Sequence, residues 1–433
     1  MPDVGRATRQ VAQRSRKPRK SQPQWPWLLP SMAVGVAPLR NLTSDPDHGS
    51  VVDGFTDRLV SDLFRRCRGF SFSWLPGERH WTPKFSPSNP SGLKYVVSGS
   101  VQPGSSRGTL RANVRITDAG TADYLWACRQ EFSLENLSSV PTAVTAQISR
   151  VLHMLVVHEA SRRAAVNLDA ELRVTECLAR ANAALKGEFR ADLSAEAQRW
   201  FLAALDRDPR NVEALAGLAL TFQHFASSPW WGDALAAAAA SDFGRETVTV
   251  ALEFEPGNAS ATCIQGMLYS AAGQLEEAAS AFRQALAMDH RLASAHAFGG
   301  YNAALLGVAW DTAQAIERAM HLDRTDRGRS IFFFFSGFAE LLLGRAHEAI
   351  VPLQKSLERN PTHGSAQLFL AAALSLIGQH CEAASMADSF HQKYLEAPAS
   401  AFEQFWLSRS ASRAYRAQVY PLFESIRALS TAC

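Results

Sequence analysis

Few side chains in this sequence stand at spacings that could do chemistry. Asp53 and Asp57 lie one helical turn apart, as two carboxylates holding a metal ion beside a nucleotide would. No GxxxxGK[ST] phosphate loop accompanies them, and no GxGxxG segment follows a strand-like run. Gly99-Ser100-Val101 offers a hydroxyl, but it lacks the GxSxG elbow and its strand runs on into a hairpin. The 12 histidines are spread along the chain. His380-Cys381 and the pair His153 and His158 find no third residue at ligand spacing, so neither a metal site nor a cofactor is expected. Glu276-Glu277 falls in a polar turn, where solvated carboxylates are ordinary. These residues predict a protein that is not an enzyme.

Two other groups of residues suit binding rather than catalysis. Residues 1–30 form a basic arm in which Arg6, Arg9, Arg14, Arg16, Lys17, Arg19 and Lys20 face one acid, Asp3. Without apolar periodicity the arm reads first as a solvated, disordered tail. Arg14, Arg16, Lys17, Arg19 and Lys20 could also meet the phosphates of nucleic acid or anionic lipid. A secretion signal is the third reading, against which Pro26 and Pro30 interrupt the apolar stretch that follows. The second group is the aromatic run from Ile331 to Phe335, and its meaning depends on the elements around it.

Those elements repeat. In a frame starting at Ala259, Gly266 stands at position 8, Tyr269 at 11, Gly273 at 15, Ala278 at 20, Phe282 at 24 and Ala285 at 27. Small residues fall where two antiparallel helices touch and large apolar ones where the pair buries its face, which is the tetratricopeptide pattern. Gly266 is expected to let the first helix approach Ala278, and Gly273 to end that helix. Further units start at Ala293, Ser330 and Gly364, and two more precede, with Trp230 and Trp231 in an insertion. Five to six helical hairpins thus cover residues 171–394, with helices over Phe402–Tyr415 and Val419–Leu429 capping the end within 395–433. Positions 2, 5, 9 and 12 of each first helix line the concave face of such a stack. They place Tyr301, Ile331, Phe334, Phe338, Leu341 and Leu368 in an apolar partner groove that lacks the Lys/Arg/Asn set of a carboxylate clamp. Phe334 and Phe338 are expected to be partly exposed there and Phe333 buried. A core role for the phenylalanines under the C-terminal helices is the competing reading.

Before the repeats, residues 31–160 change texture. Met32–Leu39, Phe70–Trp74, Tyr95–Val101, Leu110–Thr117 and Tyr124–Phe132 read as strands. Val51–Phe64 and Val140–Val157 read as amphipathic helices, which together make a small α/β domain. With 47% hydrophobic and 20% charged residues the chain is globular, and a net charge of +3 is too small to imply a nucleic-acid partner for the whole. Six scattered cysteines without a CxxC pair suit buried thiols in a reducing cytoplasm. No stretch reaches 18 apolar residues.

Several segments of this half carry a resemblance. Val34-Gly-Val-Ala-Pro-Leu-Arg-Asn-Leu42 with Asp45-Pro46, Asp53-Gly-Phe-Thr-Asp-Arg-Leu59, Tyr95-Val-Val-Ser-Gly-Ser-Val101, Val114-Arg-Ile-Thr-Asp118 and Leu125-Trp126 come in an order that resembles the TolB-like amino-terminal domain joined to tetratricopeptide repeats. Proteins of that kind usually carry an output module, either a winged-helix DNA-binding domain or a class III adenylate cyclase domain. Only the basic arm precedes Met32 here, so neither activity carries over. The segment His80-Trp-Thr-Pro-Lys84 also departs from the family's pattern. The resemblance implies an α+β multidomain chain: a TolB-like α/β domain followed by an all-α tetratricopeptide solenoid. The function expected is a cytoplasmic, non-enzymatic regulatory scaffold binding a protein or peptide. A DNA-associated regulator using the arm, or a remnant of a cyclase-type signalling protein, is the alternative.

Overall fold

The computed structural model describes residues 32–75, 92–133, 140–165 and 172–429, apart from 44, 46–47, 107, 187–188, 229–230, 232–233, 324–328 and 394–398. The basic arm, with Arg14, Arg16, Lys17, Arg19 and Lys20, lies outside the described residues, as do His80–Lys84 and Trp230.

The chain opens with β1 (Met32–Val36), β2 (Arg40–Asn41), α1 (His48–Arg66) and β3 (Phe70–Trp74). β1 and β3 pair in parallel, Val34 opposite Phe72, because α1 supplies the crossover that parallel neighbours need. β4 (Tyr95–Pro103) joins β1 in parallel, and β5 (Thr109–Asp118) and β6 (Tyr124–Ser133) continue as an antiparallel meander. The order is β3-β1-β4-β5-β6, with β2 also pairing with β4. Alternation along β5 sends Leu110, Ala112, Val114 and Ile116 into the core.

One helix joins this sheet to everything that follows. α2 (Val140–Ala165) packs against α1 and β6 and also against α4 (Ala191–Arg207) and α6 (Ala234–Phe254). It is not amphipathic as expected, because layers on opposite sides of it are both apolar. α2 is also the one helix among the described residues long and apolar enough to cross a membrane, and 56% of that stretch is buried inside the protein.

The remaining helices pair off. α3 (Val174–Lys186) packs with α4, α5 (Val212–Ala226) with α6, α7 (Ala259–Ala271) with α8 (Leu275–Met288), and α9 (Ala293–Leu306) with α10 (Trp310–Leu322). α11 (Arg329–Leu342) packs with α12 (Ala346–Arg359) and α13 (Gly364–Leu376) with α14 (His380–Lys393). The turns of the last four pairs share one chemistry. Gly273, Gly307, Gly344 and Gly378 all take positive φ, between 75° and 93°, where a Cβ would strain the backbone. After each glycine the next N–H reaches back into the last helical turn at 2.9 Å: Gln274 to Tyr269, Val308 to Ala303, Arg345 to Glu340 and Gln379 to Leu374. The result is a tetratricopeptide-like solenoid with a small sheet at its N-terminal end.

Two details differ from the expectation. A Cβ on Gly266 would meet the Phe282 ring, at 2.8 Å from Cε1, so the close neighbour is Phe282 and not Ala278. At the C-terminal end the helices are α15 (Ala399–Ser408) and α16 (Arg413–Leu429), not Phe402–Tyr415 and Val419–Leu429. The break falls after Ser408, where Ser412 Oγ accepts from the Tyr415 N–H at 3.3 Å. α16, like the expected helix over Val419–Leu429, runs through Pro421. Pro421 and Ala417 are both exposed, so the carbonyl that the proline leaves unpaired faces water.

Candidate functional site

The six first helices of the hairpins (α3, α5, α7, α9, α11, α13) surround a cavity of about 1110 Å3. Its far side is closed by α15 through Phe405 and Trp406, with Arg409 just beyond. Phe189, in the α3–α4 turn, stands 6.3 Å from the His363 ring at the start of α13, so the first unit of the stack touches the last. Phe189 also packs on His224 and Trp231, each at 4.7 Å.

Of the six residues expected in a groove, Tyr301, Ile331 and Phe334 line this cavity, whereas Phe338, Leu341 and Leu368 do not. The exposure expected of Phe334 and Phe338 is overturned: they are 3% and 0% exposed. Trp406 of α15 covers them, with ring centroids 6.0 Å from Phe334 and 5.0 Å from Phe338, and Phe369 of α13 closes in at 4.9 Å from Phe338. Phe333, expected inside, is half-buried on the opposite side of α11, where Arg359 lies 4.8 Å above its ring. Four phenylalanines in a row point around the whole helix, and the covering segment lies some seventy residues further along.

The groove also has a cation that the repeat frame does not show. Arg409 is 5% exposed and lines the cavity from the short link between α15 and α16. Its Nη1 donates to the Ala271 carbonyl, the last residue of α7, at 2.9 Å, where a helix C-terminus favours positive charge. Phe405 lies beneath the guanidinium at 5.5 Å, and Tyr301 is within hydrogen-bonding reach. Burial raises the Tyr301 phenol pKa, and Arg409 works against that rise. Arg409 Nε, Trp406 Nε1 and Asn360 Nδ2 are buried N–H donors on lining residues, and none has a protein acceptor. His224 and His363 complete the polar wall. Burial pushes both imidazoles down to about 4, and each Nδ1 meets a serine hydroxyl, Ser194 at 3.0 Å and Ser356 at 3.2 Å.

A second polar cluster sits where the sheet meets the solenoid. Asp242 of α6, 1% exposed, takes both Nε (2.9 Å) and Nη2 (2.8 Å) of Arg68 and a further bond from Arg245 at 2.6 Å. Beside it Cys67 lies 3.3 Å from Ser149 Oγ, which donates to Glu246 at 3.1 Å. His153 is fully buried, edge-on to Phe70 and Phe243. Burial pushes the Cys67 thiol up to about 12 and the His153 imidazole down, which suits a joint and not a nucleophile. Asp53 and Asp57 are exposed on α1, away from both clusters, and Ser100 is buried within β4. Among the described residues no three His, Cys, Asp or Glu side chains gather where they could hold a metal ion.

No protein-family model matches the chain. It is 30% identical over 217 residues to a protein of Rhizobium meliloti (strain 1021) named "Putative adenylate cyclase 3", a match covering 48% of this chain and 35% of that protein. The chain therefore spans about a third of the length of that curated relative. Among solved structures, a tetratricopeptide protein of Thermus thermophilus is 21% identical, with 46% of this chain and 98% of that one covered and a TM-score of 0.37. Pseudomonas aeruginosa pilF is 19% identical over 52% of this chain and 99% of that one, at a TM-score of 0.36. The human IFIT1 dimer with m7Gppp-AAAA is 15% identical over 69% and 75%, at 0.43. All three superpose only in part.

Proposed function

We propose that the chain is a non-enzymatic regulatory scaffold, in which a TolB-like α/β domain is joined to repeats that hold a protein or peptide partner. The observation that carries this reading is the cavity walled by the first helix of all six hairpins. A wall built from every unit presents many side chains to one occupant, and concave sites of this kind are where ligands bind. Its open side is polar: Glu213, Ser260 and Arg359 line it and are exposed. A partner segment meets this rim, while the apolar floor lies deeper.

Site-specific photo-crosslinking in cells tests the reading. A crosslinker at Ser260, on the rim, is expected to give one discrete protein adduct, and a crosslinker at Glu277, exposed on α8 away from the cavity, none. Equal adducts from both positions, or none from Ser260, would overturn it.

A further inference from the structure

We propose that the floor of the cavity binds a small amphipathic acid, its carboxylate on Arg409 and its apolar body against Phe298, Ile331 and Phe405. The inference rests on the cavity being a binding site, but it concerns the floor and does not need the rim's partner.

Charge decides the sign of the ligand. Four charged residues line the cavity: Glu213 and Arg359 are exposed, Asp323 is half-buried, and Arg409 alone is buried. No carboxylate among the described residues pairs with Arg409; its protein partners are a carbonyl, a phenol and a ring face. A buried charge is costly unless it is paired and hydrogen-bonded. Arg409 leaves Nε without a partner, and Trp406, one helical turn earlier, leaves its indole N–H in the same state. Both need an acceptor, and an anion supplies one to each.

The walls decide the rest. Phe298, Ile331 and Phe405 are apolar, half-buried and on the lining, so a ligand body covers surface that water otherwise wets. A peptide helix has no room along the same strip, because Trp406 already sits on Phe334, Phe338 and Phe369. The volume, about 1110 Å3, suits a small molecule.

Isothermal titration of the full chain with decanoate tests this. We expect saturable one-site binding, no saturable binding of decyltrimethylammonium, and at least a tenfold loss with Arg409→Met. Arg409 also holds the end of α7, so Arg409→Met can fail to fold. Tyr301→Phe, which keeps its ring, and Trp406→Phe, which keeps an aromatic side chain, then decide: each removes one donor and is expected to weaken decanoate two- to tenfold. The proposal is overturned if decanoate does not saturate, if the cation binds equally, or if none of the folded variants weakens binding. It is also overturned if an apolar pentapeptide with a free C-terminus competes with decanoate at lower concentration than its amidated form does and binds more tightly than decanoate. A blank result in the crosslinking experiment leaves this test untouched.

Discussion

At position 266 a single hydrogen atom sets how closely two helices approach. With Phe282 at 2.8 Å from where a Cβ would lie, Gly266→Leu must push the ring or the helix aside, at a cost of about 1–3 kcal/mol. A melting temperature unchanged from wild type would refute this. His363 gives the second prediction at this scale. Its folded pKa of about 4 lies below the ordinary 6.5, so between those values the unfolded chain holds a proton that the folded chain refuses. Stability contributed by the neutral ring is therefore present above pH 6.5 and lost as pH falls toward 4, by about 3 kcal/mol in all. Urea midpoints at pH 7 and pH 5 should fall less in His363→Gln than in wild type; equal falls would sink the argument. The turn glycines were legible in the sequence because only a residue without a Cβ sits easily at positive φ. Arg409 was not, because it belongs to no repeat and its role depends on α7, more than 130 residues earlier.

At the scale of elements, α15 and α16 decide what the aromatic run means. Phe338 is 0% exposed and ringed by Phe334, Phe369 and Trp406, so Phe338→Ala should destabilise the protein by about 3–5 kcal/mol. A loss under about 1 kcal/mol in chemical denaturation would return Phe338 to the surface. The sequence showed both helices but misplaced the break, since the short link Arg409–Ser412 carries no glycine or proline to mark it. It also showed α2, yet as a one-sided helix. A periodicity scan sees apolar positions but not that two different layers claim opposite faces of the same helix.

At the scale of the molecule the buried residues fall into two large cores and a small one. The first runs from Met32 through α2 to Leu268, the last from Leu275 to Leu429, and Cys263 with Phe282 belongs to the small cluster between them. Unfolding should follow that division, in two transitions. Asp242→Ala, which strips Arg68 and Arg245 of their shared carboxylate, should lower only the first. Phe338→Ala should lower only the second; a single transition shifted alike by both would contradict the division. Nothing in the sequence marked the contact of Phe189 with His363, because it joins residues 174 apart by position alone. An open stack of this kind gains or loses a unit in evolution with little penalty, like a spring cut longer or shorter. Here the first turn rests on the last, and one unit more or fewer would part them and change the chamber's size. The number of hairpins is therefore a dimension of the chamber.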